Sequence, residues 1–269
     1  LLPLEAIELE TNGMHEIKPA WQASGGEVRD EGVHGDWAAA SNGAFGFFAG
    51  LIARRIAGYK EAVKASGGMA ASSGEGGFVE GKRARVLWCF SRAVRAEYGF
   101  PYIHGLEAIG LKRDEVVIAE TVNASETLWA LEEGIRSGAP ALVAGVVDDI
   151  PSTPARRLAL AAERHGVPCL VLTDARAPPA AATATRWRAG AAASEFNELE
   201  TTGRGGQVIA SPGPRRFAVA LERCWREPGM VGSPMHLLEW RYEAVCFDLV
   251  AALPHRPLAA RAARVSAQG

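Results

Sequence analysis

The sequence predicts an α/β domain built on a mostly parallel sheet flanked by helices, with antiparallel edge strands at its C-terminal end. Three observations carry this expectation. Four short apolar runs occur at residues 85–90 (RVLWCF), 115–120 (EVVIAE), 141–147 (ALVAGVV) and 168–173 (PCLVLT). Runs that are apolar throughout, instead of alternating, suit strands buried on both faces of a parallel sheet. Helical segments separate the later runs, so the order reads βαβαβ with right-handed crossovers. Past residue 214 the pattern changes to alternation, as in Phe217, Val219 and Leu221, which is the signature of antiparallel strands with one solvated face.

Taken in order, residues 1–25 read as an N-terminal arm and residues 26–250 as the α/β domain. A weak first strand falls at 26–31, where Arg29 and Asp30 interrupt it, and a helix follows over 45–56. Residues 65–81 (ASGGMAASSGEGGFVEG) are rich in Gly, Ser and Ala and read as a mobile insertion. Ser125 is positioned to cap a helix that places Leu128, Leu131 and Ile135 on one face, with Gly138 just past its end. Ser152 or Thr153 is positioned to cap the next helix, with Pro154 in its first turn and Gly166 as terminator. Residues 175–185 and 195–214 read as long loops. Strands then fall at 216–225 and within 235–249. The basic tail 251–269 is Ala/Arg-rich and reads as disordered or as a short helix formed on a partner.

Composition bounds the class. With 269 residues, 48% hydrophobic and 22% charged, the chain is an ordinary globular one, and its net charge of −2 supplies no global field for nucleic acid. Lysine occurs only at 18, 60, 64, 82 and 112, so arginine provides most of the 29 cations. Cys89, Cys169, Cys224 and Cys246 are scattered, with no C-x-x-C pair, and Cys89 and Cys169 sit in apolar runs where a buried thiol is the default. That pattern fits a reducing cytoplasm. No apolar run of membrane-spanning length and no signal peptide is present, so no membrane partner is expected.

Chemistry is sparse. From residue 26 to 58 the chain reads strand, glycine-containing turn, helix, which is where a phosphate-binding loop would sit. The turn GVHGDWAAASNG at 32–43 nowhere matches G-x-x-x-x-G-K-[ST], and no lysine occurs between Lys18 and Lys60. Gly35, Ser41, Asn42 and Gly43 are the candidate phosphate contacts, since helix N-terminal amides hold an anion without lysine. The competing reading is a plain turn, with Ser41 and Asn42 capping the helix. No G-x-S-x-G, H-E-x-x-H or G-x-G-x-x-G occurs. His104, His165 and His236 have no convergent spacing, and Glu132–Glu133 and Asp114–Glu115 read as solvated faces.

The block at residues 110–173 carries a family resemblance. GLKRDEVVIAETVNASETLWALEEGIRSGAPALVAGVV resembles the RecA core, and it is closer still to ImuA, the RecA-like protein of the bacterial SOS-inducible mutagenesis system. The phrases that carry the ImuA likeness are LWALEEGIRSG at 128–138, RRLALAAERHGVPCLVL at 156–172, TATRWR at 183–188 and HLLEW at 236–240. The resemblance spans about residues 14–249. It implies a role in translesion synthesis alongside an inactive Y-family polymerase relative and an error-prone C-family polymerase, with RecA and single-stranded DNA as further partners.

Laid onto that family, the residues of an ATPase are missing one by one. Arg92 falls where the water-activating glutamate would be, and a cation cannot act as a general base. Val146 falls at the acidic strand-end position. Asp148 and Asp149, two residues on, are a candidate magnesium pair, or plain turn residues before Pro151. For DNA or partner contact, the candidates are Arg92, the Arg186–Trp187–Arg188 triplet in a loop after the core, Arg215, Arg216, and the tail arginines Arg256, Arg261 and Arg264. The competing reading packs Trp187 in a strand of the edge hairpin. The expectation is therefore a non-catalytic adaptor with no cofactor. The alternatives are a RecA-type ATPase with a rebuilt phosphate site and an SOS cell-division inhibitor.

Overall fold

A computed structural model describes residues 12–19, 37–65, 84–200, 208–225 and 235–252. The remaining residues, which include the expected first strand at 26–31, most of the 65–81 insertion and the tail beyond 252, lie outside the described set.

The strands are β1 (Met14–Pro19), β2 (Val86–Ser91), β3 (Val116–Thr121), β4 (Leu142–Val146), β5 (Cys169–Leu172), β6 (Thr185–Ala192), β7 (Phe196–Glu200), β8 (Val208–Pro212), β9 (Arg216–Cys224), β10 (His236–Arg241) and β11 (Cys246–Ala252). The helices are α1 (Trp37–Ala65), α2 (Arg92–Tyr98), α3 (Ile103–Ala108), α4 (Ala124–Ser137) and α5 (Ser152–His165). Nine strands form one sheet in the order β11-β10-β9-β6-β1-β5-β4-β2-β3, while β7 and β8 pair separately. The six strands from β3 to β6 in that order run parallel. β9, β10 and β11 then add antiparallel, with a register shift at Leu237/Leu238. The expected mostly parallel sheet with an antiparallel C-terminal flank is what the chain forms.

β2, β4 and β5 are apolar on both faces because helices cover both. Trp88 and Phe90 of β2 and Leu170 and Leu172 of β5 face α1, where Phe47, Phe48, Leu51, Ile52 and Ile56 pack. The alternate residues Cys89, Val143, Cys169 and Val171 face Leu131 and Ile135 of α4 and Leu158 of α5. The α1 face is aromatic: Phe47 lies 6.0 Å from Trp187, 6.0 Å from Phe217 and 5.1 Å from Phe247, centroid to centroid. Burying a side chain of this kind contributes about 1.5–3 kcal/mol. The anchor of the long α1 is therefore its packing, since its helix propensity is weakened by Gly43, Gly46, Gly50 and Gly58.

Several expectations change. The segment expected as an arm contains β1, which is buried throughout and sits between β5 and β6, parallel to both. Its sequence, MHEIKP, looks unlike a central strand because His15, Glu16 and Lys18 are polar; they are satisfied internally. The helix after the 32–43 turn starts at Trp37, so positions 41 and 42 fall inside α1 and not at its cap. Asn123, not Ser125, caps α4, its side chain accepting from the Glu126 amide at 3.0 Å. Asn123 holds the extended conformation of an N-cap, while Ser125 is already helical. Pro151 precedes α5, so Ser152 is its first residue and no side chain caps it. Gly138 (φ 61°) and Gly166 (φ 64°) close the two helices in the left-handed region, as expected. Residues 195–214 are not simply a loop, since β7 and β8 pair antiparallel from Phe196↔Pro212 to Glu200↔Val208.

Gly43 marks where α1 crosses β6. A Cβ there would lie 2.0 Å from the Ala191 amide nitrogen and 2.7 Å from the Gly190 carbonyl carbon, both backbone atoms that cannot swing aside. At Gly58 a Cβ would meet nothing within 4 Å. Gly43→Ala is therefore expected to destabilise the protein by at least about 1–3 kcal/mol through overpacking. Gly58→Ala is expected to stabilise it by up to about 1 kcal/mol through helix propensity. Urea unfolding of the two variants checks both signs.

Candidate functional site at the strand ends

In open α/β sheets ligands bind beyond the carboxyl ends of the parallel strands. Here a cleft of about 350 Å³ opens at that edge. Its floor is apolar, from Pro19 at the end of β1, Val146 and Val147 at the end of β4 and Leu172 at the end of β5; Val94 and Tyr98 of α2 form a wall. Its charged lining is Glu97, Asp148, Asp174 and Arg176. The two strand-end loops are tied together, the Asp174 amide donating to the Asp148 carbonyl at 3.0 Å and the Thr173 amide to the Ile17 carbonyl at 2.9 Å. The Arg176 amide donates to the Asp174 carboxylate at 2.7 Å, which closes the turn after β5.

Beneath the cleft lies a buried charge network centred on Glu16. Its carboxylate accepts from Thr173 Oγ1 (3.0 Å), from the Ala180 amide (3.3 and 3.1 Å) and from Arg186 Nε (2.7 Å). Arg186 Nη2 also donates to the Ala180 carbonyl at 2.7 Å. Lys18 Nζ sits 3.7 Å from Glu16 and donates to the carbonyls of Asp174 (3.2 Å) and Ala177 (2.6 Å). Burial lowers the Lys18 pKa below the ordinary lysine value, although Glu16 opposes the shift. The lysine that lies nearest to the phosphate-loop position in the sequence is thus turned into the sheet. It pins the 174–180 loop with backbone carbonyls and cannot also reach a phosphate.

The strand ends carry carboxylates where a phosphate site carries cations. Of the candidate phosphate contacts, Gly35 lies outside the described residues, and Ser41 and Asn42 lie within α1. Gly43 serves the close crossing of α1 over β6. Val146 ends β4, and Asp148 and Asp149 follow it, exposed. Among the described residues no group of three or more His, Cys, Asp or Glu side chains converges to hold a metal.

The DNA-contact candidates separate. Arg186, Trp187 and Arg188 lie in β6, not in a loop. Trp187 is fully buried, its indole donating to Thr185 Oγ1 at 3.1 Å, so its ring is closed to base stacking. Arg186 belongs to the Glu16 network, and Arg188 pairs with Glu222. Arg216 is held by Glu239 at 2.7 Å and Glu195 at 2.9 Å, whereas Arg215 is exposed. Arg92 opens α2, is 72% exposed and lies 3.6 Å from Glu120, which Arg95 also engages at 2.6 Å. Arg256, Arg261 and Arg264 lie outside the described residues.

Other polar groups also differ from expectation. Glu132 is not solvated: it is buried between Arg136 and Arg157, each at 2.6 Å. Glu115 is buried too, pairing with Lys60 and accepting from the Lys112 amide at 3.0 Å. Cys89 and Cys169 are buried as expected, and burial raises both thiol pKa values, that of Cys89 to about 12. Of the histidines, His104 pairs with Glu107 on the surface. His236 is buried with neither ring nitrogen hydrogen-bonded, and burial lowers its pKa below 6.5.

No known family's sequence model matches this chain, and no curated protein matches it. Among solved structures, the crystal structure of SulA from Pseudomonas aeruginosa is similar over 34% of this chain and 72% of that one, at 18% identity and a TM-score of 0.29. A likeness of that extent carries no argument about function. None of the described helices is long and apolar enough to cross a membrane.

Two outcomes test the electrostatics. Glu16→Gln leaves Lys18 and Arg186 buried without a counter-charge, and is expected to lower the unfolding free energy by about 3–5 kcal/mol. Thr173→Val, which removes one donor, is expected to lower it by about 1–3 kcal/mol. Urea denaturation at pH 7 measures both. For His236, the lowered folded-state pKa means that the unfolded chain takes up the proton first as pH falls below 6.5. Stability from this residue is therefore whole above that pH and declines below it, until the folded state is protonated as well. His236→Leu removes the decline, so the variant should gain on the native protein between pH 7 and pH 5, by at most about 1.4 kcal/mol per pH unit. An unchanged difference between the two pH values would exclude this role.

Proposed function

We propose that this chain is a non-catalytic RecA-like adaptor of a translesion-synthesis complex. It binds an inactive Y-family polymerase relative and an error-prone C-family polymerase, with RecA and single-stranded DNA as further partners. The observation that carries the non-catalytic part is the charge at the strand ends. Glu97, Asp148 and Asp174 line the cleft where a nucleotide's phosphates would lie, and Lys18 is committed to backbone carbonyls beneath it. Arg92 in place of a water-activating carboxylate adds to the reading. The partners rest on the ImuA-like phrases at 128–138, 156–172, 183–188 and 236–240.

With Trp187 buried, nucleic-acid contact in this reading falls to Arg92 and Arg215, which are exposed, and to the tail residues Arg256, Arg261 and Arg264. An arginine-only contact of this kind positions a phosphate backbone without reading bases.

A second reading, a RecA-type ATPase with a rebuilt phosphate site, draws on one observation: Asp148 and Asp149 are exposed immediately after β4, where a magnesium-holding pair would stand. Isothermal titration with ATP and magnesium, combined with a phosphate-release assay, separates the two. The adaptor reading expects no saturable heat at millimolar nucleotide and no phosphate above the buffer rate, together with co-purification of the two polymerases. Micromolar binding with phosphate release that Asp148→Asn abolishes would establish the ATPase instead.

A further inference from the structure

We propose that the cleft at the strand ends is a docking site for this chain's own basic segment, residues 253–269. The proposal rests on the reading of the cleft as a site that holds no nucleotide. The first argument is charge. Among the described residues, the cleft places Glu97, Asp148 and Asp174 around a single cation, Arg176. Among the described residues no hydrogen bond or ion pair holds the Asp148 side chain, and it is exposed. The segment LPHRPLAARAARVSAQG carries Arg256, Arg261 and Arg264 and not one acidic residue. Arginine is the cation suited to this lining, since its planar fork pairs with carboxylates and stacks on an aromatic ring such as Tyr98.

The second argument is shape and apolarity. A volume of about 350 Å³ falls within the range of ligand pockets, and its floor is Pro19, Val146 and Leu172. In the segment, Leu258, Ala262 and Val265 recur at the i, i+4, i+7 spacing of one helix face, while Arg261 and Arg264 share a different face. An apolar stripe beside an arginine stripe matches an apolar floor rimmed by carboxylates.

Reach is the third argument. The last strand residue, Ala252, pairs with His236, His236 with Val219, Val219 with Ala189, and Ala189 with Pro19, which lines the cleft. Four strand spacings separate the chain's exit from the cleft, about 19 Å at roughly 4.8 Å each. Seventeen residues extend up to about 56 Å. Docking is therefore intramolecular and strongly favoured over capture of a free peptide. Occupied by the tail, the cleft would keep the same arginines from a partner or a phosphate backbone, so tail release and partner binding are linked.

The test uses the full chain with a photo-reactive benzoylphenylalanine in place of Leu258, irradiated at low protein concentration, with the crosslinked peptides mapped by mass spectrometry. The expected result is an intramolecular crosslink to residues 94–98, 146–148 or 172–176. Its yield should fall about tenfold in the Glu97→Gln/Asp148→Asn variant, the change equivalent to losing one charge-assisted pair. Both substituted side chains are exposed, and circular dichroism of the variant is the check that it keeps its fold. Crosslinks mapping elsewhere, crosslinks between molecules that grow with concentration, or a yield indifferent to the double substitution would each overturn the proposal. If the nucleotide titration is negative while these crosslinks are missing, docking alone fails. If ATP saturates the cleft, the adaptor reading fails with it.

Discussion

Glu16 is a fully buried carboxylate in the central strand, and the arrangement of the strand ends depends on how its charge is met. Thr173 and the Ala180 amide reach it from the β5 side, and Arg186 from β6. Lys18, on the same strand, lies close enough to share the field and carries the contact onward to the Asp174 and Ala177 carbonyls. An isolated ion in that position would cost several kcal/mol, so the network holds together or not at all. One carboxylate thereby ties three strands and the 174–180 loop into a fixed geometry.

That constraint shapes the cleft above it. Lys18 and Arg186 commit their donors below, to Glu16 and backbone carbonyls, while Glu97, Asp148 and Asp174 line the strand ends. A phosphate site needs amides and cations converging on oxygen. The described edge presents the opposite sign. A sheet of this kind can keep its ligand-binding edge and change the ligand's charge.

Much of the fold was legible beforehand for a simple reason. β2, β4 and β5 are covered by helices on both faces, so their sequences are apolar without interruption, and Gly138 and Gly166 mark helix ends by their left-handed backbone. β1 was not legible, because a strand whose polar side chains are paired inside the protein resembles a surface segment. The Arg186–Trp187–Arg188 triplet misled for the same reason. Alternating cation and aromatic is the pattern of a nucleic-acid loop, and also of a strand with one face in the core and the other paired with carboxylates of neighbouring strands. Glu132 looked solvated because its partner Arg157 lies 25 residues away on a neighbouring helix.

By itself the sequence determined the sheet's parallel core and antiparallel flank, the absence of a P-loop lysine, and the uniform positive charge of the tail. These follow from periodicity and composition, which are local properties. The tertiary structure alone decided which charges face inward. Glu16, Lys18 and Arg186 are distant or unremarkable in sequence and become one network only when β1 inserts between β5 and β6. The sign of the cleft was decided the same way, since burial removes some charges from the surface while the strand ends leave others exposed.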